Sequence, residues 1–380
     1  MRIGIFGGSF DPAHREHVNF ARVAIEQLRL DKLYVMPAHT PPHKQRTLSS
    51  NADRLALCRL AFAELEKAEA SDYEIAKGGT SYTYLTCKYF KEKYPFAEIY
   101  FLVGTDMVRS FSLWRNPKSI LEDVTLAVCG RNDEEGWWEK EQERFFKQFG
   151  KYFARVDYNG ADVSSTNIRI LAGAGMQLTE FVDEKAEEYI RRRGLYAIKN
   201  ADRALALEKP ERRAHSVRVA QLAVARAKGM GLSEEKVITA SLFHDCAKNL
   251  AMDSPYLQGF VLPEGAGQVP ASVFHQYAGA YVAEKTFGIT DEDVLNAIRF
   301  HTSARENMSE LEKLIFLADM LEEARVYEGV DMLRELFWRG QGLDECLERA
   351  LFETLEFLKK KNAEIYPLTQ KAYEFYKRRG

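Results

Sequence analysis

The chain has 380 residues, 46% of them hydrophobic and 29% charged, with a formal net charge of −3. That length favours two domains, and the near-neutral balance gives no electrostatic reason for duplex nucleic acid to be a main partner. The five cysteines, Cys58, Cys87, Cys129, Cys246 and Cys346, form no CxxC pair, which argues against a disulfide framework or zinc ribbon and fits a reducing, cytoplasmic compartment.

In chain order, RIGIF predicts a first strand that runs directly into a glycine loop, GGSFDPAHREHV, with no signal-peptide pattern. HVNFARVAIEQL has helical spacing, KLYVMPA reads as a second strand, and TPPHK as a loop. RLALCRLAFAEL predicts a helix, SDYEIAKG a strand, and TSYTYLTCKYFKEKY a further helix. EIYFLVG and VTLAVCGR are two more apolar strands. Strands alternating with helices indicate a Rossmann-like α/β domain built on a parallel sheet, whose ligands gather at the carboxyl ends of the strands. From about Asp202 the pattern becomes helix after helix, and TDEDVLNAIRFHTSA and SELEKLIFLADMLEEAR open with capping-box pairs, Thr290 with Asp293 and Ser309 with Glu312. We therefore expect an α/β domain over 1–196, a linker over 197–206 and an all-α helical bundle over 207–380. No apolar run approaches the roughly 18 residues of a membrane helix.

The eight histidines fall into two clusters: His14, His17, His39 and His43, then His215, His244, His275 and His301. In the first, Gly7, Gly8 and Ser9 would aim backbone N–H groups at an anion, and His14 and His17, one turn apart, would donate to phosphate oxygens. Neither a Walker GxxxxGK[ST] nor a GxGxxG pattern is present. A second anion site is expected at VSSTNIR, where Ser164, Ser165 and Thr166 suit a helix N-cap followed by Arg169. His39 reads as a loop residue.

GGSFDPAHREH, PAHTPPHK, GGTSYTYLT, GTDMV, SLWRNP, VCGR, SSTNIR and YIRRRGLY occur in this order. The set resembles the nicotinate-nucleotide adenylyltransferases of the HxGH nucleotidyltransferase superfamily over residues 1–196. The resemblance implies adenylyl transfer from ATP to nicotinate mononucleotide, giving deamido-NAD and pyrophosphate by in-line displacement. It implies that His14 and His17 hold the ATP phosphates and that Ser9, Ser165, Thr166 and Arg169 bind the triphosphate with Mg²⁺. Lys44 would meet phosphate charge. Ser81, Tyr82 and Thr83 would receive the nicotinate carboxylate, and Trp114 would stack on the pyridine ring. Gly7, Gly8, Phe10, Gly104, Asp106 and Arg131 would complete the nucleotide pockets. Glu16 stands where the family motif has glycine, and either crowds the phosphate site or points away and favours the helix N-terminus.

In the second cluster His301 is expected on a helix face with Val294, Ala297 and Ile298, and His275 with Ala278, Gly279 and Val282. His244-Asp245 interrupts the apolar ITASLFHDCAK, and Asp319 follows Ile315 by four residues. Inward-facing His and Asp from several helices, with no evident cationic partners, is how a bundle builds a metal site. The order His215, His244-Asp245, His275, His301, Asp319 resembles the HD superfamily of metal-dependent phosphohydrolases. It is similar in particular to the symmetrical bis(5′-nucleosyl)-tetraphosphatases, which implies cleavage of diadenosine tetraphosphate to two ADP by a divalent metal pair, iron or manganese. Asp245 would be catalytic as well as a ligand, and Lys248 would hold substrate phosphate. The alternatives are an HD half that hydrolyses another nucleotide or only senses one, and a first domain that takes nicotinamide mononucleotide. No membrane is expected as a partner, and self-association is left open.

Overall fold

The computed structural model describes residues 1–41, 49–130, 136–340 and 342–378. Two compact units divide the chain: Met1–Arg169 with Gln177–Tyr196, and Ile170–Met176 with Ala197–Gly380.

The first unit holds a six-stranded sheet: β1 Arg2–Gly8, β2 Lys32–Pro37, β3 Ala68–Ala70, β4 Glu98–Gly104, β5 Thr125–Gly130 and β6 Ala154–Asp157. All neighbours are parallel and the order is β3-β2-β1-β4-β5-β6. Helices cover both faces, so a central strand is apolar along its length. In β1, Ile3 and Ile5 enter the core on one face and Phe6 enters that on the other. Gly4 is demanded by packing, because a Cβ there would lie 2.6 Å from Leu30 Cδ1 and from Leu33 Cδ1. The order reverses between β1 and β4, so the loops after Gly8 and Gly104 splay apart and leave a crevice at the carboxyl ends.

One sequence expectation changes here. SDYEIAKG, expected as a strand, holds the short helix Tyr73–Lys77, which ends at Gly78 with φ +73°. The edge strand is instead the three residues of β3, too short to show alternation, and β6 is only four residues long.

The second unit is helical among its described residues. Its core is built by Pro210–Ala227, Glu234–Phe243, Ala271–Lys285, Glu292–Arg299, Glu310–Leu321, Val330–Trp338, Asp344–Lys360 and Pro367–Lys377. Residues 197–206, read as linker, include the helix Ala201–Leu205, and Ala201, Ala204 and Leu205 are buried in this core. The Ser309–Glu312 capping box is present, with the serine Oγ accepting from Glu312 N and Glu312 accepting from Ser309 N. The pair expected at Thr290 and Asp293 is not. Asp291 is the N-cap, accepting from Asp293 N and Val294 N, while Asp293 Oδ1 accepts from the Ser309 hydroxyl. Among the described residues no helix is long and apolar enough to cross a membrane.

Candidate active sites

In the first unit a pocket of about 530 Å³ occupies the crevice between β1 and β4. It gathers Gly7, Gly8, Ser9, Ser81, Tyr82, Thr83, Gly104, Asp106 and Trp114 from four separate segments. Thr83 opens the helix Thr83–Lys93, so that helix N-terminus offers its N–H groups and positive dipole end to an anion. The Trp114 ring is set by Phe111 at 5.3 Å and by an edge-on contact with Phe101 at 6.1 Å. Among the lining residues that sequence reasoning missed, three stand out. Met107 and Leu113 are exposed apolar residues, and Glu74 is a buried carboxylate pushed above its ordinary pKa by burial, although Thr86 Oγ1 donates to it at 2.5 Å.

A neighbouring cleft of about 480 Å³ contains His14 and His17. The two rings lie 3.6 Å apart at the start of the helix Arg15–Gln27. His14 N donates to His17 Nδ1 at 3.2 Å, which leaves the proton on His17 Nε2 and makes that atom a donor. Burial lowers the His14 pKa to about 4, only partly offset by Glu16, and burial with the adjacent His14 holds that of His17 well below its ordinary value. Both rings are therefore neutral hydrogen-bond donors near pH 7 rather than fixed cations.

The second anion element lies beneath the glycine loop. Ser164 Oγ caps the helix Ser165–Gly173 by accepting from Asn167 N. Ser165 Oγ donates to Pro12 O, and Arg169 donates to Asp11 O at 2.6 Å and to Thr166 Oγ1 at 3.1 Å. Phe10 was expected at the nucleotide. Its ring is buried in the core against Phe6 and Phe62, and its backbone turns the loop at φ +47°. Arg54 was missed: fully buried, it donates to Ser9 O, Ala38 O and His39 O, tying the glycine loop to the end of β2. An arginine inside a helical run carries no sequence sign of this task. Lys44 and Arg131 lie outside the described residues.

The second unit brings all six expected ligands together. His215 Nε2 lies 2.8 Å from Asp319 Oδ1, and His275 and His301 Nε2 lie 3.3 and 3.4 Å from Asp245 Oδ1. His244 Nε2 is 3.5 Å from Asp245 Oδ2 and 4.0 Å from Asp319 Oδ1. Three overlapping groups, His215-His244-Asp245, His244-His301-Asp319 and Asp245-His275-His301, each bring ligand atoms within 4.8 Å. Asp245 belongs to two of them.

Three rings are oriented from behind. Nδ1 of His244 faces Ser241 O at 2.6 Å, that of His301 faces Ile298 O at 2.7 Å, and that of His215 faces Glu322 Oε1 at 3.0 Å. Such contacts put the Nδ1 proton outward and leave Nε2 as a donor atom for a metal. His244 Nε2 and Asp245 Oδ1 are buried with no hydrogen-bond partner. Two orphaned polar atoms within a nitrogen-and-carboxylate cluster fit a divalent cation.

Two expectations need correction. His301 is not on the helix, which ends at Arg299; it lies in the following turn, and the His301 to Ile298 hydrogen bond turns its ring inward. The carboxylates also have cationic partners: Arg212 reaches Asp245 at 2.9 Å and Arg325 reaches Asp319 at 2.6 Å. Arg212, like Glu322 and Arg218 behind His215, was missed because only tertiary packing brings it to the site, whereas Arg325 folds back onto Asp319 from just beyond the end of the helix Glu310–Leu321. Lys248 Nζ lies 2.9 Å from His275 Nε2, at the rim of the cluster. Among the described residues, every group of three or more metal-type ligands is in this unit.

A nucleotide-sized crevice at the switch point of a parallel sheet, followed by a His/Asp cluster inside a helical bundle, defines a nucleotidyltransferase-type domain joined to an HD-type domain. Residues 5–170 match the Cytidylyltransferase-like family and residues 212–324 the HD domain family. The chain is 31% identical to a probable nicotinate-nucleotide adenylyltransferase/Ap4A hydrolase of Mycoplasma pneumoniae, over 86% of this chain and 92% of that one. It is 30% identical to the protein of the same description from Mycoplasma genitalium, over 86% and 89%. A solved structure described as a predicted HD superfamily hydrolase involved in NAD metabolism, from Clostridium acetobutylicum, is 34% identical with a TM-score of 0.42, covering 48% of this chain and 97% of that one. The chain belongs to the family of fused two-domain proteins that the Mycoplasma relatives represent.

Proposed function

We propose that this protein is a bifunctional nucleotide enzyme. The first unit transfers the adenylyl group of ATP to nicotinate mononucleotide, and the second hydrolyses diadenosine tetraphosphate symmetrically to two ADP. The observation that carries the reading is the presence of two separate constellations, a nucleotide-sized crevice with a histidine pair and a His/Asp cluster, in separate units of one chain that matches the fused relatives.

In the first unit the mononucleotide phosphate attacks the α-phosphorus of ATP, the α–β anhydride bond breaks and pyrophosphate leaves. Positioning and charge stabilisation carry such a displacement. The helix N-terminus at Thr83, with Ser81 and Tyr82, receives the nicotinate carboxylate, and Trp114 stacks on the pyridine ring. His14 and His17 donate to the triphosphate, Ser165, Thr166 and Arg169 shape its far side, and magnesium travels with ATP. Lys44 and Arg131 add positive charge, and Asp106 closes the pocket wall.

In the second unit His215, His244, Asp245, His275, His301 and Asp319 would hold two divalent ions, iron or manganese. When bound, the pair supplies Lewis acidity toward a phosphoryl group. Arg212, Arg325 and Lys248 surround the cluster with positive charge suited to a polyphosphate. Hydrolysis adds one water across the central anhydride bond, and both products are ADP. A non-catalytic sensor would have no need of a complete ligand set.

Ion-exchange separation of products tests both halves. Incubation with diadenosine tetraphosphate and ferrous or manganous ion yields ADP alone if the reading holds. ATP and AMP, or no cleavage with metal bound, would overturn the tetraphosphatase assignment. Nicotinate and nicotinamide mononucleotides offered together at equal concentration with ATP should give mostly deamido-NAD.

A further inference from the structure

Glu16 has no part in the adenylyl chemistry above, yet its side chain enters the histidine cleft. One carboxylate oxygen, Oε2, accepts from Tyr158 OH at 2.5 Å and from Ala161 N at 2.9 Å, while Oε1 accepts from Asn19 Nδ2 at 3.2 Å. Burial raises the Tyr158 phenol pKa, and the bond to Glu16 raises it further. Gly160 lies between these partners, and a Cβ there would come within 2.2 Å of Glu16 Oε2 and 2.5 Å of Tyr158 Cε1. The loop backbone is thus moulded to the carboxylate.

The same helix holds the same segment at its other end. Gln27 Nε2 donates to Asp157 O and Gln27 Oε1 accepts from Asp157 N, both at 2.9 Å. Residues 158–164 lead from β6 into the helix whose first turn carries Ser165, Thr166 and Arg169. His14 and His17 therefore stand on one side of a two-point clasp, and the second anion-binding element continues from the other.

We propose that Glu16 is a positioning residue for ATP, fixing the spacing between the His14–His17 pair and the Ser165–Arg169 turn through Tyr158 and Ala161. The inference rests on the adenylyltransferase reading of the first unit. Its logic is preorganisation: two hydrogen bonds to a charged acceptor hold a loop that would otherwise have to be ordered when the triphosphate binds. The carboxylate faces the loop donors, so its charge is engaged before a phosphate arrives.

The test uses the full chain with Glu16→Gly, Glu16→Gln and Tyr158→Phe. Glu16→Gly should raise KM for ATP about tenfold, the size expected for losing one or two charge-assisted bonds, with kcat and KM for nicotinate mononucleotide within about twofold of the parent. Tyr158→Phe should raise it by a smaller factor, and the double variant by less than the product. Glu16→Gln retains an oxygen for Tyr158 and Ala161 and should restore most of the affinity. Hydrogen exchange of the peptide spanning residues 158–163 gives a second readout, faster in Glu16→Gly and close to the parent in Glu16→Gln. An unchanged or lowered KM for ATP in Glu16→Gly would overturn the proposal, as would unchanged exchange. A parent protein that makes no deamido-NAD but shows the exchange response would overturn the adenylyltransferase reading, and with it the role toward ATP, while leaving the clasp in place.

Discussion

His14 shows how one residue couples site chemistry to stability. Its pKa falls from the ordinary 6.5 to about 4, first because burial penalises the cation, with Glu16 opposing. Between those values the unfolded chain binds a proton that the folded protein does not. Stability from this residue is therefore fully present above pH 6.5 and is lost as pH falls toward 4. The loss amounts to about 3 kcal/mol at most. Three of the four tryptophans, Trp114, Trp137 and Trp138, lie in the first unit and report its unfolding. Between pH 8 and 5 the urea midpoint followed by their fluorescence should drop, and it should drop less in His14→Gln. Equal slopes would show that His14 does not carry this dependence. In the second unit the corresponding residue is Glu322, which accepts from Arg218 at 2.6 Å and faces His215 Nδ1. Glu322→Ala should weaken metal binding about 10–100-fold by titration calorimetry, with the helical content intact, and Glu322→Gln should weaken it less. A loss below threefold would mean that His215 is oriented by something else. None of this was legible from the chain, where Glu322 is one of many glutamates near a helix end.

At the scale of elements, strong local signals carried through and weak ones did not. Ser309 caps the helix that presents Asp319, with both halves of the capping box formed. Ser309→Ala should cost about 1 kcal/mol and lower the melting temperature of the second unit by about 2–4 °C, read by circular dichroism. No change would mean that the Ser309 to Asp293 contact and the cap are dispensable together. One helix earlier in the chain, Asp291 displaced Thr290 because its carboxylate reaches two N–H groups directly. SDYEIAKG alternates like a strand, but it is five helical residues stopped by a left-handed glycine. His301 has the 3.6-residue spacing of its helix and still lies beyond the end. Periodicity reads which side a residue faces more securely than where the element stops.

For the molecule as a whole, independence of the two chemistries is the main expectation. His17→Ala should abolish deamido-NAD formation and leave diadenosine tetraphosphate hydrolysis within about twofold, and Asp245→Ala should do the reverse, each checked for folding by circular dichroism. One substitution that removed both activities from a folded protein would sink the two-site picture. What the sequence determined by itself was local and ordered: two clusters of histidines, the parallel alternation of the first half, the helical run of the second, and motifs whose spacing matches the fused family. What only the tertiary structure decided was proximity between distant segments. Arg54 under the glycine loop, Arg212 on the ligand carboxylate of Asp245, Glu322 behind His215 and Glu16 across to Ala161 join residues far apart in the chain. The physical reason is that hydrophobic period and cap chemistry are written within a turn or two. A buried charge finds its partner only after burial has made leaving it unpaired costly.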